Sequence, residues 1–150
     1  MRRLGVARAD VEDMAHDVFV AVLKQFDTYD PARPIKPWLF GFAFRVASHY
    51  RRKARRVEAL EEPERLVDAG QRPDARYETE RKRRVVQRVL EEIELDRRAV
   101  FVLHDIDGST GEEIARSLGI PLGTVYSRLR LAREDFTAKM RRLQAKGMVE

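Results

Sequence analysis

Residues 112–133 read EEIARSLGIPLGTVYSRLRLAR, and their spacing is that of two short helices joined by a tight turn. Two helices that cross closely need a small residue at the crossing, a glycine where the chain reverses and an apolar residue that clamps the second helix. Ala115, Gly119 and Val125 meet those needs in that order. Just upstream, TGEE at 110–113 has the pattern of a capping box that starts the first helix. The segment therefore predicts a helix-turn-helix.

The second helix of this motif offers a candidate surface for DNA contact. Val125 and Leu129 would be buried, which leaves the remaining side chains pointing outward or at the flanks. Arginine can bind guanine through two hydrogen bonds or bind phosphate, and hydroxyl groups can contact bases or the backbone. The alternative is a pair of helices with an ordinary solvated face. The candidate DNA-binding residues are Thr124, Tyr126, Ser127, Arg128, Arg130, Leu131 and Arg133.

Helical periodicity recurs along the rest of the chain. Apolar residues lie on one face over 11–26, after Asp10 as a plausible N-cap, and again over 38–50, where Pro37 suits a first helical position. The pattern resumes at Val85, and no window alternates with period two. The sequence predicts an all-α protein.

Charge and composition divide the chain into two small helical domains. Residues 31–58 carry eight basic side chains and one acidic side chain, whereas residues 59–80 carry three basic and seven acidic. Periodicity fails where proline and glycine interrupt it. We expect a first domain at 1–56, a flexible acidic linker at 57–79 and a second domain at 80–145. The cationic block indicates contact with a polyanion, although a solvated helix face explains it about as well.

Aromatic and basic side chains interleave in the cationic block. Rings can stack on unpaired bases while cations bind phosphates, so the pattern fits single-stranded nucleic acid. The alternative is that a tryptophan just after a helix-starting proline belongs to the core. The residues are Trp38, Phe40, Phe42, Phe44 and Tyr50, interleaved with Arg45, Arg51 and Arg52.

Glu12, Asp13, His16 and Asp17 form an acidic cluster on the first predicted helix. Because residues three or four apart share a helix face, the cluster could in principle ligate a metal. Helical carboxylates beside one histidine are far more often a solvated or partner-binding face, and no second histidine cluster completes a coordination sphere. We expect no metal site.

Composition excludes several functional classes. The 150 residues contain no cysteine, which rules out disulfides, zinc ribbons and a cysteine nucleophile. No stretch approaches the roughly 20 apolar residues of a membrane span, and no signal-peptide core follows the first residues, so we expect a cytoplasmic location without membrane insertion. No catalytic triad or glycine-rich phosphate loop is recognisable. We therefore expect no enzyme activity and no cofactor.

Two motifs in order resemble conserved regions of bacterial sigma factors. DVEDMAHDVF at 10–19, followed by PWLF at 37–40, resembles the second region, especially of the small extracytoplasmic-function (ECF) group. EIA at 113–115, GIPLGTVYSRL at 119–129 and AR at 132–133 resemble the fourth region. Together they cover most of the chain outside the linker. The resemblance implies a subunit that binds core RNA polymerase and directs it to promoter DNA.

The resemblance also implies roles for individual residues. The acidic helix would dock on the clamp helices of the largest polymerase subunit, and the helix-turn-helix would read the minus-thirty-five element. Unpaired bases of the minus-ten element would be captured by the loop before Trp38 and the helix that follows. The polymerase-binding residues are Glu12, Asp13, His16 and Asp17; the minus-ten residues are Trp38, Arg45, His49, Arg51 and Arg52; the minus-thirty-five residues are those of the second helix given above.

The resemblance has departures, and other functions fit parts of the sequence. Glutamine, asparagine and aspartate are usual where His16, Arg45 and His49 stand. Family members carry further helical sequence before the segment that starts here near Val6, so we expect a first domain that is incomplete at its N-terminus. An anti-sigma factor is an expected partner. The alternatives are a stand-alone helix-turn-helix regulator and a non-initiating decoy for polymerase or an anti-sigma factor.

Overall fold

The computed structural model describes residues 1–58 and 75–145, which contain six α-helices and no strand. The all-α prediction is confirmed. Helices extend into both ends of the predicted linker; its centre, residues 59–74, lies outside the described residues. The domain boundaries stay a prediction. The helices are α1 (Val11–Lys24), α2 (Ile35–Glu58), α3 (Ala75–Glu91), α4 (Leu95–Phe101), α5 (Gly111–Leu118) and α6 (Leu122–Ala145).

In the first half of the molecule (residues 1–58, as against 75–145 in the second half), the helix starts differ from the sequence-based expectation. Asp10 precedes α1, but its side chain makes no capping hydrogen bond. Instead its carboxylate accepts a hydrogen bond from the Tyr50 hydroxyl at 2.6 Å, which ties the start of α1 to α2. Helix α2 begins at Ile35, so Pro37 lies inside the first turn. Proline is tolerated there because the first four amides of a helix have no intrahelical acceptor.

The helix-turn-helix forms as its local signals predict. The Thr110 hydroxyl accepts the Glu113 amide at 3.2 Å, and the Glu113 carboxylate accepts the Thr110 amide at 2.8 Å, so the capping box is complete. Gly119 reverses the chain in the left-handed region at φ 67°, which side chains with a Cβ disfavour. Val125 is fully buried and clamps α6 onto the core.

Helices α3 to α6 enclose the larger of two hydrophobic clusters. The rings of Phe101 and Phe136 stack across it, with centroids 5.0 Å apart. A π-helical turn, Val102–Ile106, continues α4, and its wide ring is closed by the Asp107 amide bonding to the Val102 carbonyl at 2.9 Å. The buried members are Leu90, Ile93, Val100, Phe101, Val102, Leu103, Ile114, Val125, Leu129 and Ala132.

Arg98 is a charged residue inside this core, and its relative exposure is 0%. Its guanidinium donates hydrogen bonds to the carbonyls of Glu91 and Ile93, at 2.7 and 2.8 Å, and so satisfies the open C-terminal end of α3. Burial, together with the nearby charge of Arg51, lowers the pKa of Arg98 to about 10. The residue remains cationic at neutral pH and complements the negative end of the helix dipole.

The second cluster joins the two halves of the molecule. Leu4 and Val6 pack with Ala47 of α2 and Ala99 of α4, and all four are buried. The apolar surface of α2 is therefore covered by the second half and by the first residues of the chain. This contact sets the position of α2 relative to the helix-turn-helix.

The apolar stripe of α1 is only partly covered. Val22 is buried, whereas Phe19, Leu23 and Phe26 are 67%, 75% and 57% exposed. Amphipathic spacing predicts the stripe as a whole but does not distinguish its buried residues from its exposed ones. The open part lies beside the acidic cluster, because residues 16, 19 and 23 follow one another at helical spacing.

Candidate nucleic-acid interface

The outer face of α6 carries the residues expected to read DNA. Tyr126, Ser127, Arg130 and Arg133 are exposed, while Thr124, Arg128 and Leu131 are half-buried. All seven residues therefore lie on or beside one face, opposite the buried Val125 and Leu129. Their contact with DNA stays a prediction.

Gly111 lies beneath this face, and the sequence pattern gave it no role. A Cβ on Gly111 would stand 2.7 Å from the Tyr126 hydroxyl oxygen and 2.9 Å from Cζ. The tyrosine ring therefore lies against the first turn of α5, and a side chain at residue 111 would have to displace it. The sequence signal for this role is weak, because it requires knowing how α5 and α6 cross.

The three arginines among the candidate DNA-contacting residues of α6 differ in what holds them. Arg128 donates to Asp96 of α4 at 2.8 Å. Arg133 donates two hydrogen bonds to Asp105 of the π-helical turn, at 2.8 and 2.6 Å. Among the described residues, Arg130 pairs only with Glu134 of its own helix, and its side chain is 66% exposed. Arg130 is therefore the arginine that can leave its partner for DNA at least cost.

The Asp105 carboxylate, in the π-helical turn beside α6, contacts both Arg133 and His104. Its pKa lies below the ordinary value, chiefly because Arg133 donates to it, with a smaller contribution from His104. His104 Nδ1 lies 2.7 Å from the carboxylate. The hydrogen bond between Arg133 and Asp105 raises the pKa of Arg133. The two hydrogen bonds hold the Arg133 guanidinium beside the π-helical turn that follows α4.

The candidate minus-ten residues of α2 have a different environment. Arg45, His49 and Arg52 are exposed at helical spacing, and Arg51 is half-buried. The Arg45 guanidinium lies over the Phe42 ring, 4.5 Å from its centroid. Among the described residues, no ion pair joins Arg45, Arg51 or Arg52 to an acid. These cations are open to an external anion.

Trp38 belongs to an aromatic cluster and also borders solvent. Its ring lies 4.9 Å from Phe42, 5.0 Å from Tyr29 and 6.4 Å from Phe26, measured between centroids. The Tyr29 hydroxyl donates to the Arg33 carbonyl at 3.0 Å, which stiffens the proline-rich loop. Trp38 is half-buried. Packing against these rings positions Trp38, as expected if the tryptophan belongs to the core. Part of its side chain nevertheless remains exposed beside the loop.

Helix α5 faces this loop across a cleft. The cleft holds about 130 Å³ and separates Tyr29, Pro34 and Trp38 from Glu113 and Arg116 of α5. The Ser117 hydroxyl, also on α5, donates a short hydrogen bond to the Pro37 carbonyl. A second cleft, of about 530 Å³, separates the α2 arginines from the start of α4. The two candidate DNA-contacting surfaces therefore lie on halves that touch each other.

The acidic cluster lies on the outside of α1. All four residues, Glu12, Asp13, His16 and Asp17, are exposed. Within the described parts of the chain, no group of three or more potential metal-ligating side chains comes together, and no helix is long and apolar enough to cross a membrane. The arrangement is that of a surface able to contact another protein.

Family models match both halves of the chain. The model described as sigma-70 region 2 matches residues 1–57, and the model described as sigma-70 region 4 matches residues 83–136. The order of the two regions is the order in which their motifs occur in the sequence.

A sequence relative supports the same assignment. The chain is 33% identical over 143 residues to the ECF RNA polymerase sigma factor SigE of Mycolicibacterium smegmatis. The alignment covers 91% of this chain and 55% of that relative, so the chain spans about half the relative's length.

Two solved structures share the fold. The sigma factor RpoE of Bartonella quintana, in complex with the anti-sigma factor NepR, superposes with a TM-score of 0.69 at 20% identity, over 93% of this chain and 86% of that one. CnrH, in complex with the cytosolic domain of CnrY, superposes with a TM-score of 0.60 at 28% identity, over 93% and 77%. Both superpositions extend over nearly the whole of this chain.

Proposed function

The chain belongs to the sigma-70 family of RNA polymerase sigma factors, in its ECF group, and we propose that it binds core RNA polymerase and directs it to promoters. It supplies recognition and no catalysis, since the polymerase makes the RNA. Polymerase and promoter DNA place its action in the bacterial cytoplasm.

The recognition is divided between two surfaces of the molecule. The outer face of α6 reads the minus-thirty-five element in the major groove, as the second helix of a helix-turn-helix does. The arginines of α2 bind the phosphates of the minus-ten strand, and the aromatic cluster around Trp38 stacks on unpaired bases. Joining two weak contacts in one polymerase-bound complex raises affinity through effective concentration.

The acidic face of α1 is the proposed contact with the polymerase. Glu12, Asp13, His16 and Asp17 are exposed there, next to the open apolar residues Phe19 and Leu23. Opposite charge would steer the encounter, and apolar contact would slow dissociation. The same surface is available to an anti-sigma factor, which we propose as the regulatory partner.

One observation carries this function most directly. Helices α5 and α6 are joined by a left-handed glycine, and the first of them starts with a complete capping box. A buried valine clamps α6, which presents Arg130; within the described parts of the chain, Arg130 pairs with Glu134 of its own helix and with no other acid. This geometry supports the placement of α6 in a DNA groove, where Arg130 would exchange its exposed pair with Glu134 for a contact to DNA.

Transcription in vitro is the decisive test. A promoter is first selected from randomised duplex DNA using core polymerase with the chain, and run-off RNA is then measured with and without the chain. RNA that depends on both the chain and the selected sequence is the expected result. Binding of the selected DNA by the chain alone, as a dimer on a palindrome, would favour the stand-alone regulator. Polymerase binding without RNA from any selected sequence would favour the decoy.

A further inference from the structure

Two arginine side chains, Arg51 of α2 and Arg98 of α4, converge beside Gly5. A Cβ built on Gly5 would stand 2.6 Å from Nη1 of Arg98 and 2.9 Å from Nη1 of Arg51. Among the described residues, neither arginine forms an ion pair with an acid. The charge of Arg51 lowers the pKa of Arg98, and the nearby charge of Glu91 offsets only part of that effect. Positive charge is therefore concentrated at this point.

One nitrogen of the buried arginine makes no hydrogen bond. Nε and Nη2 of Arg98 donate to carbonyls at the end of α3, whereas the buried Nη1 has no acceptor within the described parts of the chain. A buried donor without an acceptor costs the free energy of the hydration that it has lost. Because Nη1 lies beside Arg51, an anion bound to Arg51 would interact favourably with both cations.

Arg51 also lines the larger cleft, of about 530 Å³, between α2 and the start of α4. Arg45, Ser48 and Arg52 line the same cleft and lie on one side of α2, since residues three or four apart share a helix face. Guanidinium groups bind phosphate through charge and paired hydrogen bonds, and a serine hydroxyl can add a further donor. This wall of the cleft has the groups that a phosphate requires.

The opposite wall of the cleft carries two acids, and each already has a cationic partner. Glu94 pairs with Arg97 at 3.5 Å, and Asp96 accepts a hydrogen bond from Arg128 at 2.8 Å. Their negative charge is therefore offset by arginines of α4 and α6. The cations of the α2 wall have no such offset, so the cleft favours an anion.

Phe44 and Leu95 give the cleft an apolar part beside its cations. Pockets of about 300 to 1,000 Å³ that combine apolar walls with a few polar groups are typical of sites for small organic molecules. We propose that this cleft binds a small phosphorylated organic molecule of the nucleotide class. Its phosphate contacts Arg51 and Ser48. Its organic part packs against Phe44 and Leu95. The site belongs to the free chain and does not rest on the proposed function.

Titration calorimetry and thermal unfolding of the full-length free chain test the site, with ADP and inorganic phosphate as probes. A probe at about tenfold excess over its dissociation constant should raise Tm by roughly 3 to 6 °C for a chain of this size. Sodium chloride at the same ionic strength should give a smaller rise, because it only screens the cations. ADP should bind at least tenfold more tightly than inorganic phosphate, since only ADP reaches the apolar part.

Three variants separate a built site from the general attraction of a basic protein for anions. Arg51→Ala should lower ADP affinity at least tenfold. Without ligand its Tm should stay the same or rise, because its repulsion of Arg98 is gone. Ser48→Ala, which removes only the hydroxyl, should lower affinity by a smaller factor. Arg141→Ala is the matched control: Arg141 is an exposed helical arginine outside the cleft, and ADP affinity should stay within twofold.

Several results would overturn the site. An equal rise in Tm with ADP, inorganic phosphate and chloride at one ionic strength would do so, as would equal losses of affinity in Arg51→Ala and Arg141→Ala. ADP binding no tighter than inorganic phosphate would reject an organic ligand. Binding of single-stranded DNA without binding of either probe would assign these arginines to DNA alone. ADP binding that depends on Arg51, in a chain that supports no transcription, would support the site and reject the proposed function.

Discussion

Removing Arg130 should weaken promoter reading without weakening the fold. Its side chain is 66% exposed and pairs with Glu134 at 2.7 Å within one helix. Such an exposed pair stabilises a helix by about 0.3 to 0.5 kcal/mol, and alanine recovers part of that loss through its helix propensity. A lost arginine contact to base or phosphate costs about 1 to 3 kcal/mol, which is roughly 5-fold to 150-fold in affinity. The two effects differ enough to be separated.

Two other arginines of α6 provide comparison and control. Arg128 is tied to Asp96 of α4, so Arg128→Ala should lower both promoter affinity and the free energy of unfolding, the latter by about 0.5 to 1 kcal/mol. Arg141 is exposed on the same helix and is not among the candidate DNA-contacting residues, so Arg141→Ala should change neither.

Affinity of the polymerase complex for a selected promoter, at several salt concentrations, is the measurement, with thermal unfolding of each free variant beside it. A phosphate contact would appear as a salt slope smaller by about one, and a base contact as lost preference at one position. Promoter affinity of Arg130→Ala within twofold of the unmutated chain, at every salt concentration, would refute the reasoning.

Three further predictions follow from other contacts. Asp13→Arg with Asp17→Arg should reduce co-purification with core polymerase at least several-fold while circular dichroism is unchanged, because both side chains are exposed on α1; equal recovery would make this face merely solvated. Asp105→Asn should cost a few tenths to about 1 kcal/mol of stability above pH 5. Because the folded pKa of Asp105 is depressed, that difference should shrink as pH falls through it, and a difference independent of pH down to about 2 would contradict the ion pair. Gly119→Ala should destabilise the chain by about 1 to 2 kcal/mol, since its φ is 67°, whereas Gly123→Ala should be neutral or stabilising; similar denaturation midpoints for the two would refute the left-handed turn.

The helix-turn-helix was predictable because its signals are local. Thr110 and Glu113 satisfy each other within one turn, Gly119 is required by a single backbone angle, and Val125 follows from helical spacing. Each depends on residues close in sequence, so no knowledge of the rest of the fold is needed. The all-α class follows for the same reason, since period and capping are properties of short segments.

The contacts between segments were not predictable from spacing. Asp10 has the right type and place for an N-cap, but the Tyr50 hydroxyl, 40 residues away, takes its carboxylate. Arg128 and Arg130 look equivalent in the sequence, yet only Arg128 meets an acid from α4. Phe19 fits the apolar stripe of α1 and is nevertheless exposed. In each case the outcome depends on which helix packs alongside, which periodicity does not encode.

The π-helical turn Val102–Ile106 makes one residue between α4 and α5 a local insertion into a helix. A π-helix holds one residue more in each hydrogen-bonded ring than an α-helix, so deleting a single residue here would let the backbone close as ordinary α-helix. The widened ring already takes up the extra residue within one turn, so the segment after such a deletion would leave α4 in nearly its present direction. The same deletion at the start of α6, where no ring is widened and each residue turns the chain by about 100°, would rotate the candidate DNA-contacting side chains away from their present face. A one-residue deletion at the π-helical turn should therefore reduce promoter use far less than a one-residue deletion at the start of α6.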